Sequence, residues 1–227
     1  MARLYAEAAG YPPYYRGSVE SQAAVKILAT YRGQRSLSML LEIASRQNPL
    51  APEAQTEAIK ALSRRKDPQI GATLASLLQP QEALETRKTV AVALQNSVCK
   101  RECILSTLHY LERIWRGEPN FEDRWLLAPG NERVLASYRV GQQAIYDDLY
   151  AVLRREKKET ITTLMNVYGF GSIVPSPFAL DLLSRLNFQE ACPYLLESER
   201  QLKDLSPESF KAPRSEIETA ITSLNCK

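Results

Sequence analysis

The stretch 53-EAQTEAIKALSRRKDPQIGATLASLLQ-79 decides the fold. Within it, 58-AIKAL-62 places small or aliphatic residues four positions apart, on one helical face. A cationic turn, 64-RRK-66, comes next. Asp67-Pro68 then reads as a helix start: Asp is a good N-cap, and Pro at the first helical position lacks only an N–H that would have no partner there. The second part, 74-LASLL-78, shows related spacing, its first and fourth positions sharing a face. Gln79-Pro80 closes it, because the residue before a proline avoids the α region. The stretch is therefore two antiparallel helices joined by a short turn.

The same unit recurs on both sides. The segments 24-AVKIL-28, 58-AIKAL-62 and 90-VAVAL-94 are separated by 34 and 32 residues. Each is followed, nine to twelve residues after its last Leu, by 37-LSMLL-41, 74-LASLL-78 or 105-LSTLH-109. The spacing predicts first helices near 19–31, 53–66 and 82–97, with second helices near 35–47, 68–79 and 102–116. Gly33 interrupts the first pair. A lone pair cannot bury both its faces, so such units stack and share core with their neighbours. Residues 18–116 are expected to be regular repeats and 117–227 irregular ones within a single domain, 18–227. Helices are predicted over 132–156 and 159–168, before the Gly/Pro-rich loop 169-GFGSIVPSP-177. Related spacing returns in 179-ALDLL-183, 192-CPYLL-196 and 220-AITSL-224, the last with no partner helix. The Pro/Tyr-rich segment 1–17 is expected to be an extended arm.

Carried by 53–79 and its weaker copies, this pattern resembles HEAT-type repeats, including the short bacterial variety similar to phycobilisome-lyase repeats. The resemblance covers about half of the 227 residues well. It implies an all-α fold, an α-solenoid of stacked antiparallel helix pairs, and no particular activity. Tetratricopeptide repeats have a similar period, but their small and aromatic signature positions are not evident here.

Composition is consistent with a helical, water-soluble chain. Hydrophobic residues make up 44%, charged residues 24%, and only nine residues are Gly. A net charge of +3 does not by itself call for nucleic acid or an anionic membrane. No apolar run approaches the ~18 residues of a membrane-spanning helix, and the first residues lack the apolar core of a signal peptide.

The stretch 97-SVCKRECILSTLHYL-111 holds two of the four cysteines and His109, the chain's single histidine. A structural zinc site needs four Cys/His ligands, usually in two tight clusters, and only one CxxxC is present. No redox CxxC accompanies a βαβ unit. Aligned with Leu41 and Leu78, His109 is expected at a slot facing the stack. Cys99 and Cys103 bracket a turn that a disulfide could clip, and Cys192 could reach Cys226 if the last helix folds back. Four reduced thiols remain the alternative. Reduced cysteines with a native Met1 imply the cytoplasm, and a Cys99–Cys103 bond implies an extracytoplasmic setting.

Equivalent turns of a stack lie along one edge. Arg32 and Arg35, then Arg64, Arg65 and Lys66, then Lys100 and Arg101 would form a basic ridge there. Against this, cations also favour helix C-termini by a few tenths of a kcal/mol each, and Asp67 and Glu102 dilute the field. Trp115, spaced helically from Leu108 and Leu111, is assigned to the core. Trp125, in a connection, is a candidate surface anchor. No phosphate loop, HExxH or GxSxG occurs, so no catalytic, metal or cofactor residue is assigned. The leading reading is a non-enzymatic scaffold or adaptor that binds another protein through a concave face or the basic turn edge. A structural subunit of a larger assembly is a second reading. A third, implied only by the resemblance, is a DNA-binding enzyme such as an alkylpurine DNA glycosylase, with Trp115, Asp123 and Trp125 as candidate residues; nucleic acid ranks below protein as a partner.

Overall fold

A computed structural model of the chain describes residues 18–45, 52–79, 82–117, 132–169, 175–203 and 211–226. Among these, all regular structure is helical. The elements are α1 (Ser18–Thr30), α2 (Gln34–Ser45), α3 (Pro52–Leu62), α4 (Pro68–Ser76), α5 (Leu84–Asn96), α6 (Arg101–Trp115), α7 (Glu132–Arg155), α8 (Lys157–Val167), α9 (Pro177–Leu186), α10 (Cys192–Lys203) and α11 (Lys211–Ser223). A short 3-10 turn, Gln189–Ala191, precedes α10. The arm at 1–17 lies outside the described residues. The chain divides into two compact units, Met1–Val152 and Leu153–Lys227.

In the first unit the helices alternate between two sets of neighbours. Helices α1, α3 and α5 pack on one another in order, as do α2, α4 and α6. Successive pairs are also joined, α2 against α3 and α4 against α5. The sequence periodicity accounts for this packing. Ala24 and Leu28, Ala58 and Leu62, and Val90 and Leu94 are all buried. Leu37, Leu40, Leu74 and Leu108 fill the second helices' inner faces. Each fully buried Leu stabilises the fold by roughly 1.5–3 kcal/mol.

Local chemistry fixes the turns. Asp67 has extended backbone, and its carboxylate accepts the Gln69 N–H at 2.9 Å, capping α4. Helix α3 stops at Leu62, four residues before the predicted end, leaving residues 63–66 outside the helix. Gly71 lies where α4 meets the 97–100 turn. A Cβ there would sit 2.3 Å from the Val98 carbonyl oxygen and 3.5 Å from Cys103 Sγ, so this approach needs glycine.

A buried arginine ties α5, α6 and α7 together. Arg87 is fully buried and donates Nε to the Glu82 carbonyl at 2.9 Å. Its Nη1 and Nη2 donate to the hydroxyls of Tyr110 and Tyr138, each at 3.2 Å. Tyr138 also accepts from Gln142 at 2.7 Å. Burial disfavours the guanidinium charge, but the two tyrosines outweigh it and hold the Arg87 pKa above its ordinary value.

In the second unit α11 packs against both α9 and α10, whereas the sequence leaves it without a partner. Leu164, Leu183, Leu195, Ile217 and Leu224 form the core. Helix α9 ends on Asn187 in the left-handed conformation (φ 55°), with the Phe188 N–H bonded to the Leu183 carbonyl. That is the usual way a short polar residue terminates a helix.

Candidate binding surface at the helix turns

Four of the cations predicted to form a ridge converge on one hollow. Arg32, Arg64, Arg65 and Lys66 line it with Gln34 and Asp67, over a floor that includes Ala29, Leu37 and Ala61; its volume is about 670 Å³. The hollow lies between two successive turns, 31–33 and 63–67. Arg65 is what holds the turns together. Its Nη2 donates to the Tyr31 carbonyl and, at 2.9 Å, to Ser36 Oγ. Ser36, itself buried, donates to the Leu28 and Tyr31 carbonyls at 2.8 Å each. Burial first, and then the neighbouring Arg32, press the Arg65 pKa below its ordinary value.

The other three cations are exposed. Among the described residues, no ion pair joins Arg32, Arg64 or Lys66 to an acid. Among the described residues Asp67 is the one acid lining the hollow, and its carboxylate is engaged in capping α4. Ala29 and Ala61 sit at the C-terminal ends of α1 and α3, while Gln34 and Asp67 stand at the starts of α2 and α4. Helix ends of opposite polarity thus meet here and their dipoles largely offset. The four side-chain cations therefore set the sign of the field.

The rest of the proposed ridge is arranged differently. Arg35 is exposed in the first turn of α2 and does not line the hollow. Lys100 and Arg101 line a separate, smaller recess of about 330 Å³ with Gln69, Glu102 and Cys103. Both stand at the N-terminal end of α6, where the helix dipole disfavours cations, and Glu102 in that first turn offsets them. Trp125 lies outside the described residues, as does Asp123.

All four cysteines are bonded. Cys99 joins Cys103 across four positions with Cα atoms 5.2 Å apart, and Cys192 joins Cys226 across 34 positions with Cα atoms 5.4 Å apart. The first bridge is buried and clips the turn that carries Lys100 and Arg101. The second runs from the start of α10 to the residues just past α11. Among the described residues no group of three or more His, Cys, Asp or Glu could hold a metal ion, and no helix is long and apolar enough to cross a membrane.

Two residues lie elsewhere than their spacing predicts. His109 is exposed, not stacked. The inner face of α6 is made by Ile104, Thr107, Leu108 and Leu111, and one further residue rotates the side chain by about 100° away from Leu108. Its aligned counterparts mislead for separate reasons. Leu41 is itself only half-buried, and Leu78 is buried beyond the last residue of α4, where helical register no longer applies. His109 instead lines a polar cleft of about 440 Å³ with Ser76, Gln79, Ser106, Arg113 and Arg116. There Arg113 donates to Gln79 at 3.1 Å and Arg116 pairs with Glu112 at 2.5 Å. Trp115 is 47% exposed, because it is the last residue of α6 and the core ends one turn earlier, at Leu111.

Sequence reading missed Arg65's role as a fastener and Arg87's as a buried anchor. In sequence, Arg65 is one of three consecutive cations, and Arg87 stands in a polar-looking first turn, 84-LETRK-88. The signal for Arg87 was its place three residues before Val90, on the inward stripe of α5. No family profile matches the chain, and no curated protein or solved structure matches it.

Proposed function

We propose that the chain is a non-enzymatic, HEAT-like α-solenoid that serves as an adaptor, holding an acidic partner protein at the edge formed by its helix turns. The observation that carries this reading is the gathering of Arg32, Arg64, Arg65 and Lys66 around one hollow. Like charges so placed repel, and among the described residues the one acid lining the hollow is the capping Asp67. An anionic partner relieves that repulsion. The alternating packing of odd and even helices supports the solenoid part of the reading, since stacked pairs require that order. The two disulfides favour an oxidising compartment as its place of work.

The test is affinity capture from the native source, using the oxidised chain and its Arg32→Glu/Arg64→Glu/Lys66→Glu variant side by side. These positions are exposed, so the variant keeps its core. A partner held through the turn edge is retained by the native chain, elutes steeply with salt, and is lost from the variant. The same partner set on both chains would sink the reading.

A further inference from the structure

We propose that the hollow between the turns 31–33 and 63–67 binds a single tetrahedral oxyanion, a phosphate or sulfate ester group on the partner, and not an extended run of carboxylates. The proposal rests on the adaptor reading and specifies which feature of the partner is recognised.

The distribution of charge along the turn edge decides between these two chemistries. A strand of successive carboxylates spreads its charge over many residues and is matched by a continuous ridge. The turn edge is not continuous. Arg32, Arg64, Arg65 and Lys66 meet at one place, with Asp67 beside them as the one acid among the described residues there. Lys100 and Arg101 occupy their own recess with Glu102, and Arg35 stands outside both. Concentrated positive charge suits a ligand that concentrates its negative charge, and an ester oxyanion offers three acceptor oxygens around one centre.

The donors fit that demand. Arg65 is oriented in advance through Nη2 by the Tyr31 carbonyl and Ser36, so its guanidinium charge is fixed in place before a ligand arrives. Arg32, Arg64 and Lys66 come from the two flanking turns, and among the described residues no ion pair holds them to an acid. Volume and lining also agree. About 670 Å³ lies within the range of small-molecule sites, and Ala29, Leu37 and Ala61 provide an apolar floor for the carbon stem of an ester.

The experiment uses the full oxidised chain and fluorescence anisotropy at constant ionic strength. Three probes are compared: a short peptide with one phosphoserine, the same peptide with sulfoserine, and octaglutamate. Tighter binding of an ester peptide than of octaglutamate is expected, with displacement by inorganic phosphate or sulfate. The two ester peptides separate phosphate from sulfate as the source. Arg32→Gln and Lys66→Gln should each weaken the ester peptide about tenfold, the loss of one charge-assisted contact. Arg101→Gln should leave it unchanged. Arg65 is spared because its removal also loosens the turns.

Octaglutamate binding tighter than both esters, and lost in Arg32→Gln, overturns the oxyanion inference while the adaptor reading stands. Ester binding that survives both Arg32→Gln and Lys66→Gln overturns the site. No binding of any probe overturns the inference and the adaptor reading together.

Discussion

In residues 18–115 each helix pair packs on the next, whereas in residues 153–226 helices α9 and α10 both pack on α11 and a disulfide closes the group. The first arrangement spreads its apolar contacts over several similar junctions, each supplied by the same small-to-Leu spacing. The second has only about 75 residues in Leu153–Lys227. A unit of that size buries a smaller share of its surface and gains most from a covalent link. The difference teaches that one chain can hold regular units by repetition and a short unit by a staple.

Four measurements break or sharpen that contrast. The largest effect is expected from Arg87→Ala, which removes the buried anchor of α5, α6 and α7 and the hydrogen bonds it gives the Tyr110 and Tyr138 hydroxyls. Urea denaturation should show a loss of about 3–5 kcal/mol, confined to the first unit. Next, replacing both Cys192 and Cys226 by Ala should cost the second unit about 3–4 kcal/mol on the loop-entropy account. The Cys99→Ala/Cys103→Ala pair closes a far shorter loop and should cost about 2 kcal/mol. Equal losses from the two pairs would show that loop length does not govern the staple. Gly71→Ala comes third. Its Cβ must push the Val98 backbone aside, and thermal melting should report about 1–3 kcal/mol of destabilisation.

Asp148→Asn should give the smallest change, and its sign depends on pH. Burial raises the Asp148 pKa, against the hydrogen bond from Gln95 and with help from Asp147. A carboxyl raised in the folded state favours its protonated form there. Folding is therefore stabler below the unfolded value of about 3.9 and loses stability as pH rises past it. Asparagine cannot ionise, so the variant should melt slightly higher at pH 7, by a few tenths of a kcal/mol at this half-exposed site, with the difference vanishing near pH 3. A variant that melts lower at pH 7 would refute this account.

The two regions were also unequally legible. In 24-AVKIL-28, 58-AIKAL-62 and 90-VAVAL-94 the residues that matter lie four apart on one helix, and burial follows directly from that spacing. The second unit is held by Cys192 and Cys226, 34 positions apart, and by α11 folding back on α9 and α10. Such links depend on chain path, which periodicity does not encode. The site shows the same division. That turn cations gather at an edge follows from the repeat; that Arg65 bonds to Tyr31 and Ser36, drawing one turn against the previous one, requires coordinates. His109 marks the opposite limit, where alignment across a helix end carried a residue to the wrong face.

The Cys192–Cys226 bond makes residues 192–226 a covalent ring that contains all of α10 and α11. A single cut by a protease at any peptide bond within that ring leaves the protein as one molecule. The cleaved ends stay tethered, and both helices remain linked to the rest of the chain. Only a second cut, or a reductant, can set a fragment free.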